Sequence, residues 1–211
     1  MPLLEIRTED KAKYGLWEIN EPEEYFFSRL SFDDEEWDYL QKMKGGRRLE
    51  WLSSRWLLYL VLGESRRGPI LKDDCGKPFI SSQKGFISIS HSHRKSAAVY
   101  AEVPVGIDVQ KKVEKIYRIA SKFLSDEEFA QIPLHHQIEY MHIYWGIKES
   151  IYKAYGRRKL DFKNDIQVLP FSREAGQATG VLKKENIRWI FDVRFQFIAD
   201  FILVFVIRSD E

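Results

Sequence analysis

The sequence has a single cysteine, Cys75, among 211 residues. No intrachain disulfide and no cysteine-built zinc site can form, and a reducing compartment fits. It has no excess of either charge: 33 Lys and Arg stand against 32 Asp and Glu, a net +1. That excludes a whole-surface basic field for nucleic acid and an acidic solvating chain, while leaving room for a local patch. It has no long hydrophobic run. The longest of note, Phe201 to Ile207, is far short of the roughly 20 residues that a membrane span needs. The opening ten residues carry Glu5, Arg7, Glu9 and Asp10, which is not the make-up of a secretory signal. Low-complexity tracts and repeats are absent. The expectation is a cytoplasmic protein without nucleic-acid or membrane partners.

What is present is an ordinary globular balance, 44% hydrophobic and 31% charged, enough apolar material for a core. The length allows one large domain or two small ones. Residues 3–25 mix apolar patches with charge and predict early strands. Ser31, followed by Asp33, Asp34, Glu35 and Glu36, reads as a capped helix start, and Gly45-Gly46 either ends that helix or bends the path. Residues 47–62 hold no Gly or Pro and stop at Gly63; they predict a helix burying Leu49, Leu52, Trp56, Tyr59 and Leu60. The stretch 66–85 is rich in turn residues. Phe86 to Ser90 alternates as a strand, with a partner strand at 96–103 and a third short strand at 105–109. Helices are predicted over 113–124, from the capping box at Ser125, and over 138–155, ended by Gly156. Beyond Leu160 the pattern at 166–169, 179–182, 187–197 and 201–207 predicts an antiparallel meander. Clustered helices and strands indicate an α+β fold, with a boundary at Pro104-Val105-Gly106.

Several residues offer chemistry. Asp108 follows Gly106-Ile107 and reads either as a carboxylate presented to a metal at a strand end or as a strand-edge acid in an ion pair. Trp145 to Lys153 places Lys148, Glu149, Tyr152 and Lys153 near one helical stripe. That stripe is either a surface salt bridge over a core, or one carboxylate for a hard cation beside two ammonium groups for phosphate. Arg48 and Arg55, seven apart, suit bidentate phosphate contacts and equally suit solvated surface. Lys77 sits in the turn Gly76-Lys77-Pro78. Ser90-His91-Ser92-His93 follows a strand, where a serine or histidine can meet phosphate; no third residue completes a zinc site.

These blocks, in this order, resemble the 4′-phosphopantetheinyl transferase superfamily, in its larger, monomeric, Sfp-like type. The resemblance rests on Arg48–Arg55, Gly76-Lys77-Pro78, Ile89-Ser90-His91-Ser92, Gly106-Ile107-Asp108 and Trp145-x-x-Lys148-Glu149-Ser150-x-x-Lys153, with Lys122 to Ser125 between the last two. It implies two similar α/β subdomains, 1–103 and 104–211, related by a pseudo-twofold axis with coenzyme A between them. The implied reaction moves the phosphopantetheine arm of coenzyme A onto a serine of an acyl or peptidyl carrier protein. Asp108 and Glu149 are then ligands of Mg²⁺, with Mn²⁺ as the alternative. Gln110 stands where many such enzymes carry a second acid, and offers only an amide oxygen, direct or through water. Lys148 and Lys153 meet the pyrophosphate. Arg48, Arg55, Lys77, Ser90 and His91 hold the coenzyme, chiefly its 3′-phosphate. Glu149, Lys153 and Asp108 form the catalytic group, with Glu149 accepting the serine proton. Lys111, Lys112, Lys115, Arg118 and Lys122 share a helical face that suits an acidic carrier, or solvent alone. The rival readings are a non-catalytic module binding coenzyme A or a carrier, and, less well matched by the charge balance, a nucleic-acid binder.

Overall fold

Alternation builds the centre of the molecule. Every second residue of four neighbouring strands is apolar and buried, and these side chains meet in one layer: Tyr14 and Leu16, Ala97 and Val99, Ile107 and Val109, Leu203 and Phe205. In a strand, alternate residues share a face, so each of these strands turns its other face outward to a helix. The computed structural model describes residues 3–63, 70–80, 84–157 and 159–209. Of the turn-rich stretch 66–85, residues 66–69 and 81–83 lie outside the described residues.

In chain order the elements are β1 (Leu3–Glu9), β2 (Ala12–Glu18), α1 (Glu23–Phe27), α2 (Asp34–Lys42), α3 (Gly46–Leu62), β3 (Leu71–Lys72), β4 (Pro78–Phe79), β5 (Phe86–Ser92), β6 (Lys95–Ala101) and β7 (Val105–Lys111). A 3-10 turn (Glu114–Arg118), α4 (Ala120–Phe123), α5 (Asp126–Ala130), α6 (Gln137–Tyr155), β8 (Ile166–Val168), β9 (Gln177–Lys184), β10 (Ile187–Ile198) and β11 (Phe201–Arg208) follow. One sheet runs β1-β2-β6-β5 and the other β7-β11-β10-β9-β8, with β3-β4 a small separate hairpin. The long helix α3 covers the outer face of the first sheet, packing Leu52, Leu57 and Leu58 with Trp17, Ile87 and Ala98. Helix α6 covers the second, packing Ile143, Ile147 and Ile151 with Val204 and Phe191. The order is helix, sheet, sheet, helix, a mixed fold as expected. Each fully buried Leu or Ile in these layers contributes about 1.5–3 kcal/mol.

Where the two sheets meet side by side, β5 and β7 do not share a backbone ladder. Ser88 Oγ accepts the N–H of Ile107 and Ser90 Oγ accepts the N–H of Val109, both at 3.2 Å. The serines that alternate with isoleucines in β5 thus satisfy edge donors of β7 that would otherwise be buried without partners. On its other face β7 lies directly on α6. A methyl group built on Gly106 would stand 1.9 Å from the Ser150 carbonyl oxygen, so only glycine permits this approach.

The meander over 166–207 and the stops at Gly63 and Gly156, both left-handed, match the sequence reading. Four expectations change. The cap of α2 is Asp33, whose side chain accepts the Glu36 N–H at 2.7 Å, and not Ser31, since the acid sits directly ahead of the first turn. Gly45, at a φ of 58°, opens α3 instead of closing α2. Residues 113–124 break into the 3-10 turn and α4, so Lys111, in β7, and Lys112, Lys115, Arg118 and Lys122 do not share one helical face. Asp108 lies in the middle of β7, three residues before its end, not at a strand terminus. Finally, no helix of the described residues is long and apolar enough to cross a membrane.

Candidate active site

Helix α6 runs along β7 and the two share a register. Residues spaced four, three and four apart on a helix fall on one stripe, and the stripe His142, Gly146, Glu149, Lys153 faces the outward side chains of β7. Gly106 meets the backbone at Ser150 and Ala154, Asp108 meets Lys153, and Gln110 meets His142 and Gly146.

The middle rung is the polar centre. The Lys153 ammonium donates to Asp108 Oδ1 at 2.8 Å, to the Ile107 carbonyl at 2.8 Å and to Ser90 Oγ at 3.1 Å. The Ser90 hydroxyl donates to the same Asp108 oxygen at 3.0 Å. Asp108 is 8% exposed. Glu149, one helical turn from Lys153, makes no hydrogen bond or ion pair among the described residues. Burial pushes its pKa up, Asp108's charge pushes it further, and the Lys153 charge opposes both. A carboxylate loaded in this way by burial and a like charge is relieved by a divalent cation. Two carboxylates with room left for water suit a hard, oxygen-seeking ion such as Mg²⁺, so Asp108 and Glu149 fit such an ion. No group of three or more His, Cys, Asp or Glu gathers among the described residues.

A cleft of about 240 Å³ opens beside this centre, lined by Arg55, Lys77, Ile87, Ile89, Tyr152 and Lys153 among others. Both halves of the chain contribute to it. The turn carrying Lys77 is organised by Asp73, whose Oδ1 accepts the N–H groups of Cys75 and Lys77 at 2.9 and 2.8 Å. Lys77 then crosses Gly156 and donates to the Ala154 carbonyl at 2.6 Å. That carbonyl is one of the unpaired acceptors at the end of α6, where the helix dipole favours a cation. Burial lowers the Lys77 pKa to about 8, against the pull of Asp73. Arg55 stacks 3.4 Å from the Trp51 ring centroid and donates to the Trp51 carbonyl at 3.2 Å. His91, on β5, meets Glu50 Oε2 through Nδ1 at 3.1 Å. Partial desolvation lowers its pKa, with Glu50 opposing and the charges of Lys153 and Arg55 adding.

The structure therefore brings together Asp108, Glu149, Lys153 and Ser90, and places Arg55 and Lys77 on the same cleft. His91 does not line the cleft and is held by Glu50, and three more expected residues are not brought in. Lys148 is 0% exposed. Its ammonium donates to the carbonyls of Phe123, Phe162 and Ile166 at 2.7, 2.9 and 2.8 Å and to Glu128 Oε2 at 2.7 Å. Five positions along a helix turn a side chain by about 140°, so Lys148 points into the core while Lys153 points to the cleft. Arg48 pairs with Glu23 at 2.8 Å and lies over Phe27, and it does not line the cleft. Gln110 has both ends of its amide engaged. Its Nε2 donates to the His142 carbonyl at 3.0 Å and its Oε1 lies 2.7 Å from His142 Nδ1. Lys148, Arg48 and Gln110 are thus corrections to the sequence reading. Two residues that it missed complete the picture: His142, visible as the next member of the stripe through Glu149 and Lys153, and Glu128, third residue of the capping box, which no local pattern connects to Lys148.

Comparison with known proteins agrees with these blocks. Residues 104–205 match the model of the 4′-phosphopantetheinyl transferase superfamily. A 4′-phosphopantetheinyl transferase of Bacillus subtilis is 33% identical over 86 residues, 39% of this chain and 38% of its own length. The transferase gsp of Aneurinibacillus migulanus is 30% identical over 118 residues, 54% of this chain and 47% of its own length. The transferase Sfp of Bacillus subtilis (strain 168) is 31% identical over 86 residues, 39% of this chain and 38% of its own length. The matched part of the chain spans less than half the length of these curated relatives. Asp108, Glu149 and Lys153 fall inside residues 104–205, the part of the chain that is similar to the 4′-phosphopantetheinyl transferase superfamily.

Proposed function

We propose that this protein transfers the 4′-phosphopantetheine group of coenzyme A to a serine hydroxyl of an acyl or peptidyl carrier protein. The observation that carries the reading is the cluster of Asp108, Ser90, Lys153 and Glu149 beside a cleft that Lys153 lines, with Asp108, Glu149 and Lys153 inside the residues matched to the superfamily. In this reading the pseudo-twofold halves are 1–103 and 104–211. Their likeness is supported by one long helix on the outer face of each sheet, each stopped by a left-handed glycine. Coenzyme A is the co-substrate, the protein works as a cytoplasmic monomer, and neither nucleic acid nor membrane is a partner.

The serine oxygen forms a bond to the β-phosphorus, the one bearing pantetheine. The bond from that phosphorus to the bridging oxygen breaks, and adenosine 3′,5′-bisphosphate leaves with the electron pair. Such transfers depend on positioning and charge neutralisation more than on covalent catalysis. A Mg²⁺ or Mn²⁺ ion held by Asp108 and Glu149 supplies charge neutralisation at the pyrophosphate. Lys153, positioned by Asp108 and Ser90, presents its charge to the pyrophosphate, while Arg55, Lys77 and His91 hold the adenosine end. Glu149, whose pKa burial raises, accepts the serine proton, directly or through water.

The test is the intact mass of an apo carrier protein incubated with this protein, coenzyme A and Mg²⁺. A gain of one phosphopantetheine with wild type, lost with Glu149→Gln, supports the reading. No gain on fatty-acid, polyketide or peptidyl carriers, with coenzyme A still bound, replaces it with a non-catalytic binding module.

A further inference from the structure

The rung beyond Asp108 carries a second arrangement that the transfer reaction does not explain. The amide of Gln110 spans from β7 to α6 and is fixed at both ends by one residue, His142. Because Gln110 Nε2 donates to the His142 carbonyl, the amide's orientation is set, and Oε1 is the end that faces the imidazole. Oε1 has no proton, so His142 Nδ1 is the donor. The other ring nitrogen, Nε2, lies 2.9 Å from the Val113 N–H and accepts from it. The neutral tautomer protonated on Nδ1 satisfies the two shorter contacts, to Gln110 Oε1 and from the Val113 N–H, while the Val113 carbonyl, 3.2 Å from Nε2, receives no proton from the ring. The room for this amide comes from Gly146, where an added methyl group would stand 2.9 Å from Gln110 Nε2. His142 is 3% exposed.

A carboxylate at position 110 could not make the same lock, since it has no donor for the His142 carbonyl. The arrangement therefore specifies glutamine. Gln110 is two residues from Asp108 on the same face of β7, and Gly146 is three residues before Glu149 on the same stripe of α6. The amide oxygen is close to the cation site in sequence and register, yet it is turned to the imidazole.

Resting on the cation site of the proposed function, we propose that His142 is a positioning residue that withholds the Gln110 amide from the cation, leaving Asp108 and Glu149 as its protein ligands. The consequence is that His142, which touches neither metal nor substrate, sets how tightly the ion is held when coenzyme A is present. Removing it frees a neutral oxygen for coordination.

Mn²⁺ affinity in the presence of coenzyme A, read by electron paramagnetic resonance, tests this with His142→Phe, Gln110→Met and the double variant. The expected result is affinity about tenfold tighter in His142→Phe, the low end of what groups behind metal ligands shift. Gln110→Met alone stays within about twofold of wild type, and the gain vanishes in the double variant. A tenfold loss in Gln110→Met overturns the proposal, because Gln110 is then already a ligand. An unchanged or weaker affinity in folded His142→Phe overturns it as well. If His142→Phe does not fold, nitrogen-15 spectra of the wild-type imidazole decide. The Nδ1–H tautomer must persist when Mg²⁺ and coenzyme A are added, and its loss overturns the lock. A wild-type protein that binds no Mn²⁺ with coenzyme A overturns the functional reading itself, and this inference with it.

Discussion

Helix α6 carries two lysines five residues apart, and the molecule uses them in opposite ways. Lys148 is enclosed, with three carbonyls and Glu128 as partners. Burial lowers its pKa while Glu128 pulls it back up. Glu128 is itself held: its Oε2 accepts the Ser125 N–H at 2.9 Å and its Oε1 the Val168 N–H at 2.9 Å. The pair ties α6 to the start of α5 and to β8. Lys153 is a quarter exposed in its side chain and shares Asp108 and Ser90 at the edge of the cleft. The same side chain is structural where all its donors are taken inside the protein. It is available to a ligand where it lines the cleft itself. The spacing of five separates the two side chains by about 140°; which of the two faces is enclosed is set by what packs against it.

The comparison is broken most strongly at Lys148. Lys148→Met leaves Glu128 buried without its cation, and removing one partner of a buried pair costs about 3–5 kcal/mol. Urea denaturation is expected to show that loss, and a change under 1 kcal/mol would return Lys148 to the ligand-contacting set. Lys153→Met is expected to do the reverse. Its stability falls by less than that of Lys148→Met, because Lys153 is a quarter exposed, while transfer falls by about 10²–10³, the range for removing one preorganised charge-stabilising donor. Paired denaturation and single-turnover assays on the two variants read both columns of the comparison.

A smaller effect sharpens the same contrast on the other wall of the cleft. Lys77 titrates near pH 8 and is charged below that value. If it holds a phosphate of coenzyme A, its share of the affinity is present below pH 8 and declines as the pH rises through 8. Calorimetric titration from pH 7 to 9.5 is expected to show a several-fold weakening that Lys77→Met flattens. The sign for folding is separate. Because burial depresses this pKa, the folded protein sheds the proton first, so the charged form's burial lowers stability as the pH falls from 10.5 toward 8.

Much of this was legible in the sequence where local pattern and local structure coincide. The period-2 run of β5, the glycine stops of α3 and α6, the Ser125 capping box and the four-strand meander all follow from short-range chemistry. Glu149 and Lys153 were read from helical spacing and Asp108 from its place after Gly106-Ile107, and Lys153 meets Asp108 in the structure. The errors have one source. Lys148, Arg48 and Gln110 each have the right chemistry for a ligand, but a partner distant in sequence claims them: Glu128 at 20 residues, Glu23 at 25 and His142 at 32. Which charged groups on a helix remain free depends on what packs against each face, and that is decided by topology. Ser88 and Ser90 make the same point from the other side. They read as strand alternation and prove to be the polar seam between two sheets.

The most direct test of the account is a crystal structure of the protein with coenzyme A and Mg²⁺. The account predicts Lys153 in hydrogen-bond contact with a pyrophosphate oxygen, with Lys148 still bound to Glu128 and its three carbonyls. A structure in which Lys148 has left Glu128 to meet the pyrophosphate, or in which coenzyme A lies away from Lys153, would contradict it.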